Sequence, residues 1–255
     1  MAAITEQIRK LAKELLEKGE VQYIIGWEKG TFWYHSTPVF ISKPEEAERL
    51  VFDEYCAPNL ASYLLDDRYS QGKIGIFVKG CDSRGIIRLL QDKQVQRENL
   101  YLIGVPCPGM KDAKKAAVLG QEKAGEAPLE KKCASCRYPN PVIYDTLLGE
   151  MQPVEEVAAT GEAQRFAGVE EIEKLSPDEK YAYWQKVYER CIRCYACRNV
   201  CPACNCTVCC FDEGQTWLDR DVTAHGNQVY AMIRAFHVAG RCIECGECER
   251  VCPVG

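Results

Sequence analysis

Eight cysteines in the C-terminal part of the chain follow one spacing twice. Each set fits C-x2-C-x2-C-x3-C-P; the sets are Cys191, Cys194, Cys197 and Cys201, then Cys242, Cys245, Cys248 and Cys252. Three thiolates that are two residues apart can wrap three corners of an iron–sulfur cubane, and the fourth corner is bound from elsewhere in the chain. The repeat therefore predicts two [4Fe–4S] clusters.

In runs of this type the fourth cysteine ligates the other cluster. We therefore predict that cluster 1 is held by Cys191, Cys194, Cys197 and Cys252, and cluster 2 by Cys242, Cys245, Cys248 and Cys201. Zinc and free thiols are the alternatives, but zinc sites usually pair two C-x2-C units across a longer stretch. Paired clusters indicate electron transfer, and no residue in the chain is predicted to be catalytic.

Four cysteines in three segments of the N-terminal half predict a third site. Cys81 and Cys107 each lie just past an apolar run, and Cys133 and Cys136 form a C-x2-C pair. If the two runs are neighbouring strands, both thiols lie at the edge where open α/β sheets bind cofactors. A third [4Fe–4S] cluster is predicted there, with zinc or a redox pair as alternatives. Cys56 is either another ligand or a small buried hydrophobe.

Four more cysteines, which directly follow the first set, are not explained by the repeat: Cys204, Cys206, Cys209 and Cys210. Adjacent cysteines rarely bind one metal ion together, because successive side chains diverge. A further centre on Cys206 and Cys209, joined by Cys204 or Cys210, is one hypothesis; packed structural thiols are the other. A helix is predicted over 227–240, and its His237 is either a cluster neighbour or a packed or surface residue.

Composition limits the class of protein. The 255 residues, 47% of them hydrophobic, allow one large domain or two modest ones. A net charge of −5 gives no basic surface for nucleic acid, and no apolar run reaches the roughly 18 residues of a membrane span. With no secretory signal evident, 17 cysteines indicate metal ligands in a reducing cytoplasm and not disulfides.

The segments that must position these cysteines alternate between helix and strand in residues 1–150. An amphipathic N-terminal helix is followed by predicted strands over 21–27, 37–42, 73–79 and 99–105, and by predicted helices over 42–52, 58–65 and 83–94. The β-α-β unit in 73–105 predicts an α/β domain with a partly parallel sheet.

Residues 151–178 are rich in acids and are predicted to be an acidic linker. Ser176 and Glu179 form a capping box that opens a helix. Residues 179–255 are predicted to form a small α+β dicluster ferredoxin-like domain with a cysteine-rich insert. The chain ends three residues after Cys252, where a ferredoxin would continue into a helix, and this predicts a longer parent chain or an ordering partner.

The order of these motifs resembles the beta-subunit family of deazaflavin-reducing hydrogenases and formate dehydrogenases. The resemblance covers about residues 20–150 and 180–255, and it rests on a G-C at a helix start, V-P-C-P-G and a C-x2-C pair. These motifs match the family's cysteines at Cys81, Cys107, Cys133 and Cys136. The phrases KGCDSRGI and FHVAGRCIECGECERVCP also look like iron–sulfur proteins of anaerobes. The resemblance implies an α/β domain that carries a [4Fe–4S] cluster and FAD.

The function that the cysteines and the resemblance imply is that of an electron-transfer subunit in a multi-subunit anaerobic oxidoreductase. The complex would be a hydrogenase, a formate or aldehyde oxidoreductase, or a heterodisulfide-reductase-like assembly. The expected partners are a catalytic oxidoreductase subunit and a flavin or heterodisulfide-reductase-like subunit. The alternatives are an FAD-bearing subunit that itself reduces deazaflavin, and a zinc-stabilised interaction module.

FAD has no assignable residues in this sequence. There is no G-x-G-x-x-G after a strand and no G-x-x-x-x-G-K-[ST] loop, which are the common signatures of dinucleotide and phosphate binding. Lys79, Asp82, Ser83 and Arg84 lie at a predicted helix start. They either meet a phosphate there, or cap the helix or stabilise the charge of a cluster.

Overall fold

The computed structural model describes residues 1–66, 72–154, 166–212 and 222–255. Among them, five strands form one sheet: β1 Tyr23–Lys29, β2 Ser36–Ile41, β3 Ile74–Val78, β4 Leu100–Gly104 and β5 Thr146–Leu147. Their order across the sheet is β2-β1-β3-β4-β5. Only the β1–β2 pair is antiparallel within this described sheet. The predicted α/β fold with a partly parallel sheet is therefore confirmed.

The helices of the N-terminal part are α1 Ala2–Glu17, α2 Gly80–Gln91, α3 Ala113–Leu119 and α4 Lys131–Ala134. Short 3-10 helices cover Pro44–Arg49, Ala61–Leu65, Arg97–Asn99 and Gln121–Glu126. The C-terminal part contains α5 Ala167–Glu173, α6 Pro177–Glu189, α7 Ala196–Asn199, α8 Ala224–Val238 and α9 Glu247–Arg250.

The core lies around β3, the central strand. All five residues of β3 are buried, as expected for a parallel strand that is covered on both faces.

The helix predicted over 42–52 is wrong in type and in length, because the structure has a 3-10 helix that ends at Arg49. The reason is that the Val51 N–H donates to the Trp27 carbonyl at 2.8 Å, so the backbone after Arg49 joins the sheet. β5 was not predicted, because a two-residue strand leaves no apolar pattern.

The C-terminal part is built from helices and from loops that carry the cysteines. The predicted capping box is present, since Ser176 N–H donates to the Glu179 carboxylate at 2.8 Å and α6 starts at the next residue. The described residues of 179–255 contain helices and loops and no strand. No helix in the described ranges is long and apolar enough to cross a membrane.

The start of α2 packs directly against the segment that follows the C-x2-C pair. A Cβ at Gly80 would lie 1.8 Å from the Tyr138 carbonyl oxygen and 2.8 Å from that of Asn140. We predict that Gly80→Ala lowers the free energy of unfolding by about 1–3 kcal/mol or more, because the backbone must move apart. Gly125→Ala is the matched control, since a Cβ there meets open space, and it should change stability by less than about 0.5 kcal/mol.

Chemical denaturation followed by circular dichroism measures both variants. Equal stability of the two variants would mean that the backbone at Tyr138 moves without a measurable free-energy cost. The close packing of α2 would then not contribute to the stability of the fold.

Candidate metal centres

Two cysteine loops in the C-terminal part have the same backbone course. In the first loop (residues 191–201) the Arg193 N–H donates to the Cys191 sulfur at 3.4 Å, and in the second loop (residues 242–252) the Glu244 N–H donates to the Cys242 sulfur at 3.4 Å. Each donating residue is left-handed, with φ of 53° and 55°. A four-residue helix, α7 or α9, begins at the same offset in both loops. The sequence repeat is therefore also a structural repeat.

The two loops differ in the residue at their next left-handed position, and the difference has a physical reason. Tyr195 has φ 58° and Gly246 has φ 67°, and a non-glycine residue in this region is strained. At Gly246 the choice is forced, because a Cβ would lie 2.4 Å from the Lys132 Cβ. Tyr195 instead packs edge-on against Tyr230, with ring centroids 5.4 Å apart. The second loop thus faces the N-terminal part, whereas the first loop faces α8.

One face of α8 holds the first loop. Asn227 is 1% exposed and donates to the Cys191 carbonyl at 2.8 Å, and the Tyr230 hydroxyl lies 3.5 Å from the Cys197 sulfur. Arg234 donates to the Cys197 carbonyl at 3.0 Å. Positions 227, 230 and 234 share a helix face because they are three and four residues apart. The helix predicted over 227–240 is therefore the support of the first cysteine loop.

The thiols of cluster 1 surround one cavity. Cys191, Cys194, Cys197 and Cys252 line it together with Tyr230. Cys252 enters from the second loop, as crossed ligation requires.

The thiols of cluster 2 are also neighbours. Burial raises the pKa of Cys245 to about 12, and Cys201 is among the charges that raise it further. Burial likewise raises the pKa of Cys248, with Cys201 and Cys242 both contributing upward. Cys201 of the first loop therefore lies near the thiols of the second loop. The placement has the pattern that crossed ligation predicts.

Cys81, Cys107, Cys133 and Cys136, the rim group, lie at the carboxyl ends of β3 and β4. These strands pair in parallel from Ile74↔Leu100 to Val78↔Gly104, so their ends share one edge of the sheet. Burial raises the pKa of Cys107 to about 12, and the charges of Cys133 and Cys136 add to the increase. Desolvation raises the pKa of the half-buried Cys81, and the charge of Cys107 adds to the increase. Three segments of chain thus bring the four thiols together.

A buried ion pair underlies the rim group. Lys79 is 1% exposed, its Nζ lies 3.1 Å from an Asp82 carboxylate oxygen, and it sits 3.8 Å from the centre of the Trp27 ring. Burial opposes its charge, but Asp82 and the thiolates of Cys81 and Cys107 raise the pKa of Lys79 overall. Lys79 therefore supplies a fixed positive charge beside two thiols of the rim group.

The polar residues at the start of α2 are engaged within the protein. Asp82 accepts from the Leu60 N–H at 2.6 Å and from the Lys79 N–H at 2.8 Å. Ser83 donates to the Gly80 carbonyl and accepts from the Val142 N–H. These contacts favour helix capping and charge compensation over phosphate binding.

Arg84 links the start of α2 to the second loop. Its guanidinium lies 3.8 Å from the centre of the Tyr138 ring and donates to the Ile243 carbonyl. At the other end of α2, Asp92 binds Arg241 at 2.5 Å and Asn205 at 2.7 Å. Both ends of this helix therefore bind the C-terminal part of the chain.

A second buried ion pair joins the rim group to the second loop. Lys132 precedes Cys133 and pairs with Glu247, which lies between two cysteines of the second loop. Lys132 also donates to the Ala57 carbonyl at 2.8 Å, and Arg250 donates to Glu247 at 2.8 Å. Burial opposes the charge of Glu247, but Lys132 and Arg250 lower its pKa to about 2. The pair holds two predicted cluster sites against each other.

The remaining cysteines separate into distinct environments. Cys56 is fully buried in the hydrophobic core, which fits the small-hydrophobe interpretation. Cys204 contacts the thiol of Cys201 and the guanidinium of Arg234. Cys210 instead neighbours Cys209 and Cys206; the four surplus thiols thus do not form one group. The further centre on Cys204, Cys206 and Cys209 stays a prediction, and this placement groups Cys210, not Cys204, with the other two. His237 is exposed on α8.

The donor set fits iron–sulfur clusters by chemistry and placement. Within the described ranges, no three histidine, cysteine, aspartate or glutamate side chains converge on the position of one metal ion. Zinc gathers its ligands around a single ion, whereas each cysteine of a [4Fe–4S] cubane binds a different iron atom. Thiols that surround a cavity, as those of cluster 1 do, are the arrangement that a cubane requires.

Sequence reasoning missed three residues of these sites. Lys132 directly precedes a cysteine and Glu247 lies between two cysteines. A charged residue next to or within a cysteine run was therefore the available signal. Arg234 gave a weaker signal, as the one arginine or lysine between positions 224 and 236 of the helix. Each matters through a partner far away in sequence.

Comparisons with known proteins agree with this chemistry. The model of the 4Fe-4S binding domain family matches residues 236–255, which contain the second cysteine set. The chain is 24% identical to the F420-dependent formate dehydrogenase subunit beta of Methanocaldococcus jannaschii, over 97% of this chain and 84% of that protein. It is 23% identical to the F420-dependent formate dehydrogenase 1 subunit beta of Methanococcus maripaludis, over 79% of this chain and 72% of that protein.

Fold, cysteines and similarity together define an iron–sulfur protein of the electron-transfer class. The chain resembles the beta subunits of these formate dehydrogenases, so the resemblance inferred from the motifs is confirmed.

The buried Lys132–Glu247 pair leads to a prediction, and the neighbouring exposed pair Lys131–Glu249 provides its control. Lys132 and Glu247 have 6% and 1% exposed side chains, whereas the neighbouring pair Lys131–Glu249 has 85% and 55%. Lys132→Met should lower the free energy of unfolding by up to about 3–5 kcal/mol, because Glu247 stays buried and loses Lys132, keeping only its bonds to Arg250 to offset its charge. Lys131→Met should cost less than about 1 kcal/mol, because exposed pairs contribute little.

Denaturation of the anaerobically purified protein measures both variants. Adding Glu247→Leu to Lys132→Met should recover part of the loss, since an apolar pair replaces the ion pair while Arg250 loses the carboxylate that it binds. An equal cost for Lys131→Met and Lys132→Met would show that burial of the second pair has no energetic consequence.

Proposed function

We propose that this chain relays single electrons through three [4Fe–4S] clusters in a multi-subunit oxidoreductase. The supporting observation is that twelve thiols fall into three neighbouring groups, in the order rim group, second loop and first loop. Each [4Fe–4S] cluster, when bound, takes up and releases one electron.

The side chains of this protein hold the three sites in that order. Lys132 contributes charge to Cys81 and Cys133 of the rim group and also to Cys245 of the second loop. Arg234 lies among thiols of both loops. The cluster 2 site is therefore in the middle of the proposed relay, with one cation on each side of it.

The ligand assignment is part of the proposal. Cluster 1 would be bound by Cys191, Cys194, Cys197 and Cys252, and cluster 2 by Cys242, Cys245, Cys248 and Cys201. The rim group of Cys81, Cys107, Cys133 and Cys136 would bind the third. The cavity lined by Cys252 and by the thiols of the first loop supports the crossed pattern.

The names of the similar proteins suggest the partners. Since those proteins are beta subunits of F420-dependent formate dehydrogenases, we propose a catalytic subunit that oxidises formate or a comparable substrate as the electron donor. A flavin, on this chain or on a neighbouring subunit, would pair the electrons for a deazaflavin or heterodisulfide acceptor.

Iron, acid-labile sulfide and flavin analysis of the anaerobically purified complex tests the relay. We expect about twelve iron and twelve sulfide atoms per chain, four of each for every cluster. Zinc without labile sulfide would refute the proposal. One acid-released flavin per chain would instead favour a chain that reduces deazaflavin itself.

Crossed ligation predicts opposite effects for two cysteine substitutions. Cys252→Ser should disturb the cluster that is bound mainly by the first loop, and Cys201→Ser should disturb the cluster of the second loop, because each fourth ligand crosses over. Electron paramagnetic resonance of the reduced proteins, with iron counts, distinguishes the two clusters.

Cys56→Ala is the control for these substitutions. It should retain all the iron, since Cys56 lies in the hydrophobic core. Loss of the second-loop signal in Cys252→Ser would show that each run binds its own fourth ligand, and the crossed assignment would then be wrong.

A further inference from the structure

Arg234 occupies an unusual position between the two cysteine loops. Its guanidinium donates to the Cys197 carbonyl at 3.0 Å, and it also contacts the thiols of Cys204 and Cys248. Cys197 belongs to the cluster 1 group and Cys248 to the cluster 2 group. One side chain therefore touches both predicted cluster sites.

In the part of the chain that the structure describes, the charges that face the Arg234 side chain are those of thiols. Its Nε is buried and has no hydrogen-bond partner among the described residues. Burial opposes its charge, but the thiolates of Cys197, Cys204, Cys248 and Cys201 raise the pKa of Arg234 overall. Its positive charge is thus directed at sulfur atoms.

The helix that carries Arg234 belongs to the long insert between the two cysteine sets. Asn227 and Tyr230, on the same face of α8, fix the first loop through the Cys191 carbonyl and the Cys197 sulfur. These contacts hold the helix, and with it Arg234, at a constant position relative to the first loop. The insert therefore does more than connect the two loops.

We propose that Arg234 is a positioning residue whose charge raises the reduction potentials of clusters 1 and 2 and reduces the repulsion between them. Each cluster gains one electron on reduction, and a nearby positive charge stabilises the added negative charge. Since the guanidinium lies between the sites, it acts on both. The inference rests on the proposed function, because it requires both clusters to be present.

The test is an anaerobic redox titration of the full-length holoprotein with dithionite, followed by electron paramagnetic resonance. Arg234→Met should make the equilibrium constant for reduction of both clusters smaller by about tenfold, or about 59 mV for a one-electron couple. Arg234→Lys keeps the charge and should leave both potentials near those of the wild-type protein. Arg9→Gln is the control and should change neither potential, since Arg9 lies on α1 and pairs with Glu48, away from the cysteine loops.

Unchanged potentials in Arg234→Met, with full iron content, would overturn the inference. So would equal shifts in the Lys and Met variants, because the charge would then be irrelevant. If Arg234→Met loses iron, the Arg234→Lys variant distinguishes the explanations. Retained iron with wild-type potentials in Arg234→Lys supports a role of the charge. Loss of iron in both variants overturns the inference. Wild-type protein without iron and sulfide would instead refute the proposed relay.

Discussion

The buried ion pair between Lys132 and Glu247 is the contact on which the arrangement of sites depends. Removing two charges from water is costly, and their attraction offsets that cost only with good geometry and additional hydrogen bonds. Here the Ala57 carbonyl and Arg250 supply those bonds. Because Lys132 adjoins the rim group and Glu247 lies inside the second loop, this contact sets where the two parts of the chain meet.

Buried or half-buried cations recur beside the groups of thiols. Lys79 lies beside the rim group, Lys132 lies between that group and the second loop, and Arg234 lies between the two loops. Thiolates and clusters are anionic, and a buried negative charge is unfavourable unless a positive charge compensates it. The three cations therefore compensate the negative charge of the cysteine groups.

The sequence predicted those features that depend on local patterns. The cysteine spacing, the apolar runs of β3 and β4, the capping box at Ser176 and the helix around 227–240 all have signals within about ten residues. What it missed depends on contacts across the chain. Lys132 and Glu247 are 115 positions apart, and the 3-10 helix at Pro44–Arg49 ends because the following backbone pairs with β1. No local pattern records either contact.

The glycine at position 246 gives the repeated loops different surroundings. Because Lys132 packs where a side chain would be, the second loop is seated on the rim of the sheet, while Tyr195 of the first loop packs on Tyr230 of α8. Two halves that are nearly equivalent in sequence are thereby made inequivalent in space. In the proposed relay, the site of the second loop would then be the inner one, against the rim of the sheet, and the site of the first loop the outer one.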